Sequence, residues 1–467
     1  MNRRDFIKTI GMGVAAMVTP GCASTLQQIT GKAYSKRPNI VFIMADDLGY
    51  GHLGCYGQKY IQTPNIDNMA AEGMRFTQHY AGSSVCAPSR CVLMTGLHSG
   101  HAYIRNNSEV QPEGQLPIPA ETVTVAKILK KAGYATGAFG KWGLGGPNST
   151  GHPNKQGFEH FFGYLCQRHA HHFYPDYLWR NDKKVSLDKN RDGKRGTYSH
   201  DIITEQALGF IQANKDRPFF LYLPYTIPHV ELAVPEDSAK PYRGKFKEIL
   251  IKDPRPGYIS SKESFATFAG MISRMDDGVG QVMALLKRLN IDDNTIVFFT
   301  SDNGAQGGLW QPLVKMFDGS GPLRATKGSL YEGGIRVPMV VRWQGKIKPG
   351  SISSHISAFW DFLPTAAELA GAKVPENIDG ISLIPTLLDA EQKNHDYLYW
   401  ERRRGQAVRM GNWKGIWQGS KSKLELYNLS TDIGETINIA NQNPEIVAKI
   451  EEYMNTAHIP SQLFPLL

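Results

Sequence analysis

The sequence predicts an α/β sandwich, with a mostly parallel central sheet between helices and a smaller C-terminal subdomain of antiparallel sheet plus helix. Three observations carry this. Asn39-Ile-Val-Phe-Ile-Met-Ala45 is continuously apolar and rich in β-type residues, as a strand buried on both faces must be. Amphipathic helical stretches alternate with further runs of this kind, which is the βα pattern of a parallel sheet. Beyond about Gly371 the texture changes to short strands separated by turn residues.

Taken in order, residues 1–22 read as an export signal. Asn2-Arg3-Arg4-Asp5-Phe6-Ile7-Lys8 resembles the twin-arginine consensus, and the apolar stretch that follows, Ile10 to Val18, is too short to span a bilayer as a mature helix. Gly21-Cys22 resembles a lipoprotein processing site, which implies a periplasmic protein with a lipid anchor at Cys22. Residues 23–36 form a polar linker, and 37–371 the main domain. After the first strand at 39–45, further strands are expected at 136–142, 219–225, 295–300 and 337–343. Helices are expected at 122–132, 200–214 and 264–289, the last with a break at Asp276-Asp277-Gly278. The C-terminal subdomain, 372–467, reads as strands at 397–401, 407–411, 413–417 and 424–429 and a helix at 444–454.

At 467 residues the chain exceeds one small core, and 20% charged with 41% hydrophobic residues describes a globular protein. The net charge of +9 suits a polyanionic partner as well as a merely basic surface. No Lys/Arg run or aromatic-basic stripe is present, which argues against nucleic acid. Five scattered cysteines are too few for a disulfide framework.

Asp46 and Asp47 directly follow the first strand, and Ser301-Asp302-Asn303-Gly304 ends another. Ligands of open parallel sheets gather at carboxyl ends of strands. Asp46, Asp47, Asp302 and Asn303 are an oxygen-rich set suited to a hard cation, Ca²⁺ or Mg²⁺; a solvated strand-end turn is the alternative. Cys86 and Cys91 lie in residues 83–96, SSVCAPSRCVLMTG. As residue types they fit free thiols, half a disulfide or part of a metal site, although C-x4-C is not a zinc spacing.

Cys86, Pro88, Ser89, Arg90, Thr95 and Gly96 stand as C-x-P-S-R-x-x-x-x-T-G, which resembles the signature of the type I sulfatases. The paired aspartates and the D-N-G resemble that family's metal residues, and the segment PLRATKGSLYEGGIRVP its second signature. The resemblance implies an alkaline phosphatase-like fold and hydrolysis of a sulfate ester. It implies that a formylglycine-generating or radical maturing enzyme oxidises Cys86 to formylglycine. One hydroxyl of the hydrated aldehyde then attacks sulfur, and the other expels sulfate. Asp46, Asp47, Asp302 and Asn303, with modified Cys86, would hold Ca²⁺, and Arg90 would brace the hydrate. Lys141, His229 and Lys327 would bind sulfate, with His229 or Lys327 assisting the departing alcohol. As residues alone, Lys327 also reads as a solvated surface lysine and His229 as a structural histidine.

In GAFGKWGLGG the chain departs from the family, which has histidine where Gly143 stands. Either another base accepts the proton on sulfate release, or this step runs differently. Gln167-Arg168-His169-Ala170-His171-His172 offers His171 or His169 for that role; the segment also reads as a sugar-binding loop, with Arg168 and His169 as contacts, or as a surface histidine cluster. Tyr164, Tyr174, Tyr177 and Trp179, with Arg105, Arg168 and Arg180, suit a sugar bearing anions, and the Trp400-Glu401-Arg402-Arg403-Arg404 turn of the C-terminal subdomain could reach the same pocket. A sulfated carbohydrate of galactose, N-acetylgalactosamine or other polysaccharide type is the expected substrate. A phosphonate monoester or phosphodiester hydrolase of the same superfamily, or a non-catalytic glycan-binding protein, is the alternative.

Overall fold

The computed structural model describes residues 37–420 and 422–466; the expected export signal, linker and Cys22 site lie outside them. Eleven strands form the large sheet. They are β1 (Asn39–Ala45), β2 (Met74–Tyr80), β3 (Ala135–Lys141), β4 (His160–Tyr164), β5 (Tyr177–Arg180) and β6 (Lys183–Ser186), then β7 (Phe219–Pro224), β8 (Thr295–Ser301), β9 (Arg336–Trp343), β10 (Ser351–Ser353) and β11 (Ser357–Ala358). Their order is β10-β2-β9-β8-β1-β7-β3-β4-β5-β6, with β11 also on β2. β1 is the buried centre, parallel to β7 and β8, and β3 continues in parallel beyond β7. The sheet is thus mostly parallel, with β9 antiparallel to both β8 and β2 and the β4–β5–β6 meander on the far edge.

Every residue of β1, β3, β7 and β8 is buried, so each reads as an unbroken apolar or small-residue run. β2, whose sequence MRFTQHY alternates in burial, carries no such run and is absent from the strands expected above. The helix expected at 122–132 begins at Val125, because Thr124 is its N-cap and accepts a hydrogen bond from the Lys127 amide at 3.2 Å.

The expected break at Asp276-Asp277-Gly278 does not occur: the helix Ser264–Arg288 is continuous. Phe265, Phe268, Ile272, Met275, Val279, Val282 and Leu286 recur at helical spacing and are all buried. Burying each contributes about 1.5–3 kcal/mol, which outweighs the roughly 1 kcal/mol penalty of one glycine. Asp276 points inward and accepts from Ile66 N (2.8 Å), Asn65 N (3.0 Å) and Asn65 Nδ2 (2.8 Å), so it caps the start of the helix Pro64–Ala71. Gly278 is a close-approach site, since a Cβ there would lie 2.8 Å from the Tyr225 hydroxyl.

The second sheet has four antiparallel strands, β12 (Leu398–Arg402), β13 (Gly405–Met410), β14 (Trp413–Trp417) and β15 (Glu425–Asn428). The helix Pro444–Thr456 covers it through Ile450 and Met454. This sheet is locked to the large one by Trp400 Nε1 donating to Ala81 O (2.9 Å), by the Arg105–Glu401 pair (2.8 Å) and by Lys414 between Glu332 (2.8 Å) and Glu435 (3.0 Å). Among the described residues no helix is long and apolar enough to cross a membrane.

Candidate active site

The register of β1 on β8 builds the centre. Ala45 pairs with Ser301, so the residues that follow, Asp46 and Asp302, emerge side by side at the carboxyl edge. Asp302 N donates to Ala45 O (3.1 Å), and Asp47 N donates to Asp302 Oδ1 (3.2 Å). Asp47 adopts φ 66°, a left-handed conformation that aspartate tolerates better than most residues. Asn303 Nδ2 donates to Asp47 Oδ1 (2.8 Å), while Asn303 Oδ1 is buried without any partner.

Cys86 opens the helix Cys86–Thr95, with its Sγ 3.6 Å from Asp46 Oδ1. Arg90, one turn on, donates through Nε (3.1 Å) and Nη2 (2.7 Å) to Asp302 Oδ2 and through Nη1 to Lys141 O (2.6 Å). Ser89 donates to Asp302 O at 2.6 Å, which pins this helix to the end of β8. Lys141 ends β3 and donates to Asp46 Oδ2 at 2.6 Å. Lys327 Nζ donates to Asp47 Oδ2 (2.8 Å) and lies 3.1 Å from His229 Nε2. His229 Nδ1 is 2.8 Å from Val230 O, which can only accept; Nδ1 therefore carries the hydrogen and Nε2 accepts from Lys327.

Seven of the expected residues, Asp46, Asp47, Cys86, Arg90, Lys141, Asp302 and Asn303, thus meet in one buried centre, with His229 and Lys327 at its side. Ligand atoms of Asp46, Asp47, Cys86 and His229 all lie within 4.8 Å of one another. Burial lifts the Asp46 carboxyl, but Lys141 and Arg90 outweigh it and hold the group at about 2. Burial and the neighbouring Asp46 charge push Asp302 up to about 7 despite Arg90, and burial raises Asp47 despite Lys327. Burial pushes the Cys86 thiol to about 12, so the unmodified residue is a protonated thiol and a poor nucleophile. Crowded carboxylates with an orphaned amide oxygen beside them are the donor chemistry of a hard divalent cation, and they fit one.

The histidine segment divides. The His171 ring stacks on His229 with centroids 4.3 Å apart, and its Nδ1 is 2.6 Å from the Tyr258 hydroxyl. Burial, then the charges of Lys141 and Lys327, hold His171 neutral, well below the ordinary histidine range. His169 instead packs on Tyr177 and Tyr164, with Nδ1 3.5 Å from Glu113. Arg168 is exposed and paired with Glu109 at 2.8 Å. Arg105 is taken up by Glu401, and the Tyr177 and Trp179 polar groups both donate to Glu113 at 2.7 Å, so none of these three is free for a sugar.

Two features escape sequence reasoning. Gly143 has φ 85°, and a Cβ there would lie 2.8 Å from Gln167 Nε2, so Gln167 fills the space of the family's histidine. Tyr258, 87 residues from its partner His171, belongs to a loop with no signature of its own.

Comparison with known proteins agrees with this geometry. Residues 38–372 match the family model described as Sulfatase, and residues 325–459 match that of the N-sulphoglucosamine sulphohydrolase C-terminal region. An N-acetylgalactosamine-6-O-sulfatase of Bacteroides thetaiotaomicron is 30% identical over 95% of this chain and 97% of its own. Human arylsulfatase A is 33% identical over 90% of this chain and 88% of its own. The crystal structure of Ps i-CgsB in complex with k-i-k-neocarrahexaose superposes with a TM-score of 0.75 at 31% identity, covering 90% of this chain and 92% of that one. With both strand-end acid sets, the C-x-P-S-R helix and both lysines in one centre, the chain belongs to the type I sulfatases of the alkaline phosphatase superfamily.

Proposed function

We propose that this sulfatase removes sulfate from a sulfated carbohydrate, of galactose or N-acetylgalactosamine type, with Cys86 matured to formylglycine and Ca²⁺ as the cation. The net reaction is R–O–SO₃⁻ + H₂O → R–OH + SO₄²⁻ + H⁺. The observation that carries this reading is the convergence of Lys141, Lys327 and His229 on the carboxylate set beside Cys86. Relatives named N-acetylgalactosamine-6-O-sulfatase or N-acetylgalactosamine-6-sulfatase and a neighbour in complex with k-i-k-neocarrahexaose support the choice of substrate.

Asp46, Asp47, Asp302 and Asn303 hold the cation, which when bound supplies positive charge against the sulfate oxygens. Hydrated formylglycine at residue 86 supplies the nucleophile that cysteine cannot. Arg90 fixes this residue by clamping Asp302 and the β3 terminus. Lys141 and Lys327 orient the sulfate and offset charge that grows on its oxygens. His229 presents a bare Nε2 to Lys327, so the proton available to the departing alcohol is the one on Lys327 Nζ. His171, neutral and anchored on Tyr258, takes the place of the missing histidine and accepts the proton released as sulfate leaves.

Residues 1–22 deliver the protein to the periplasm, with Cys22 as lipid anchor; residues 37–371 are the catalytic domain and 372–467 the C-terminal subdomain. The deciding experiment is co-expression with a formylglycine-forming maturase, the mass of the peptide containing Cys86, and sulfate release from N-acetylgalactosamine 6-sulfate. The aldehyde mass together with sulfate release is expected. A retained thiol despite an active maturase removes the mechanism.

A further inference from the structure

We propose that Arg402, on the β12–β13 hairpin of the small sheet, binds a second anionic group of the substrate, a carboxylate or another sulfate on the saccharide. This rests on the carbohydrate reading above and adds a charge requirement to it.

Placement is the first argument. Arg402 Nη1 donates to Gly328 O, and Gly328 directly follows Lys327, whose Nζ lies on Asp47. Gly328 N donates to Ser84 O at 2.8 Å, two residues before Cys86. The guanidinium lies flat against this loop: Gly328 has φ 87°, and a Cβ there would lie 3.2 Å from Arg402 Nη1. A cation from the second sheet therefore sits one residue from the proposed sulfate-binding lysine.

The second argument is the missing counter-charge. Arg90 pairs with Asp302, Arg105 with Glu401, Arg336 with Glu332, and Arg342 with Glu72 and Asp292. Arg402 is half-buried, has no carboxylate partner among the described residues, and its Nε is buried without any hydrogen-bond acceptor. Nη2 makes no hydrogen bond among the described residues, and it is the guanidinium donor left for a carboxylate or sulfate oxygen. Burial, then the charge of Arg403, disfavours the charged form of Arg402, and an anion there relieves both.

The hairpin itself is the third argument. Arg402 pairs with Gly405, which leaves Arg403 and Arg404 as a two-residue turn. Arg403 takes φ 55°, where such turns favour glycine or asparagine. Strain accepted in order to place long cations at a site's rim points to use of those cations.

The test compares matured wild type with Arg402→Gln, Arg402→Lys and Arg403→Gln, each first checked for an unchanged melting temperature. Sulfate release is measured from N-acetylgalactosamine 6-sulfate and from disaccharides bearing the same ester plus either a uronate carboxylate or a second sulfate. Wild type is expected to favour a doubly anionic substrate at least ten-fold in kcat/KM. Arg402→Gln should bring that ratio close to one through KM, Arg402→Lys should keep part of it, and Arg403→Gln should shift it less. The disaccharide that carries the preference identifies the anion. A wild type without preference overturns the proposal. So does Arg402→Gln lowering both substrate classes by one common factor, because Arg402 would then only brace the Lys327 loop. Cleavage of 4-nitrophenyl sulfate but of none of the saccharides would sink the carbohydrate reading, and this proposal with it. If Arg402→Gln fails to fold, the Arg402→Lys ratio decides.

Discussion

Two of the buried ion clusters among the described residues differ in how far their own charges satisfy them. In the first, Glu332 accepts from Lys414 (2.8 Å) and Arg336 (3.1 Å) and from the Tyr80 hydroxyl (2.7 Å), and its amide donates to Glu435 (2.7 Å). Both Glu332 oxygens are taken, and the cluster locks the small sheet to the large one. In the second, Asp46, Asp47 and Asp302 face Lys141, Lys327 and Arg90, yet Asn303 Oδ1 has no partner and Asp47 and Asp302 are pushed upward. Glu435 Oε1 in the first cluster also lacks a hydrogen bond but lies 3.0 Å from Lys414 Nζ, so that cluster carries its own counter-charge, whereas Asn303 Oδ1 stays open to a ligand. Both cost desolvation energy, but only the second recovers part of that cost on binding.

The sharpest way to break this distinction is at Cys86. Cys86→Ala in matured protein should lower kcat by on the order of 10⁴-fold or more, because the nucleophile is gone. Its melting temperature should stay near wild type, since the residue makes no strong bond. Full activity in the variant, by steady-state sulfate release, would show that the second cluster is not the catalytic one.

Paired lysines give the next contrast. Lys141→Met should lower kcat/KM about 10²–10³-fold, the scale of one lost charge-stabilising donor. Lys414→Met should instead cost stability, about 3–5 kcal/mol by urea denaturation, because it leaves Glu332 and Glu435 buried together. Its kcat per folded molecule should hold. An activity loss in Lys414→Met equal to that in Lys141→Met would erase the distinction.

Cation removal separates the clusters without mutation. Chelation with EDTA should abolish turnover and lower stability, and Ca²⁺ at 100 times its Kd should restore about 2.7 kcal/mol. The same gain is expected in Lys414→Met, whose lesion is elsewhere. A Ca²⁺ effect that survives Asp302→Asn together with Asp47→Asn would place the ion outside this centre.

How much of this was legible in the sequence follows from burial and from chain distance. β1, β3, β7 and β8 could be read because strands buried on both faces leave unbroken apolar runs. β2 escaped because only one of its faces is fully covered, and Asp276 looked like a breaker because sequence does not show that it caps another helix. Asp46 and Asp302 could be placed because strand ends are where sites form, and strand register then brought them together. For the family's missing histidine the sequence offered His171 or His169 without a means of choosing between them. The choice depends on Gln167 filling the space beside Gly143 and on Tyr258 holding His171, contacts between loops that no local periodicity encodes.

The smallest expected effect is a pH slope in the structural cluster. Burial lifts Glu435 to about 7, and Glu332 adds to this while Lys414 opposes it. Burial also lifts Glu332, but Lys414 and Arg336 outweigh it and hold that group at about 2. The signs differ. Glu435 binds its proton more tightly folded than unfolded, so its contribution to stability falls as pH rises from about 4.5 to 7. Glu332 binds its proton less tightly folded, so its contribution is full above about 4.5 and is lost as pH falls towards 2. Glu435→Gln should therefore lessen the fall of urea midpoints between pH 4.5 and 7, leaving the part that Asp302, also lifted to about 7, contributes, and should leave the acid limb, which Glu332 shares with Asp46, in place. Added Ca²⁺ should raise the curve most where Asp302 is ionised and leave the Glu435 part of the slope unchanged, because Glu435 lies outside the proposed donor set. A slope as steep in Glu435→Gln as in wild type would mean that Glu435 is already ionised across this range, and that Lys414 satisfies both carboxylates at once.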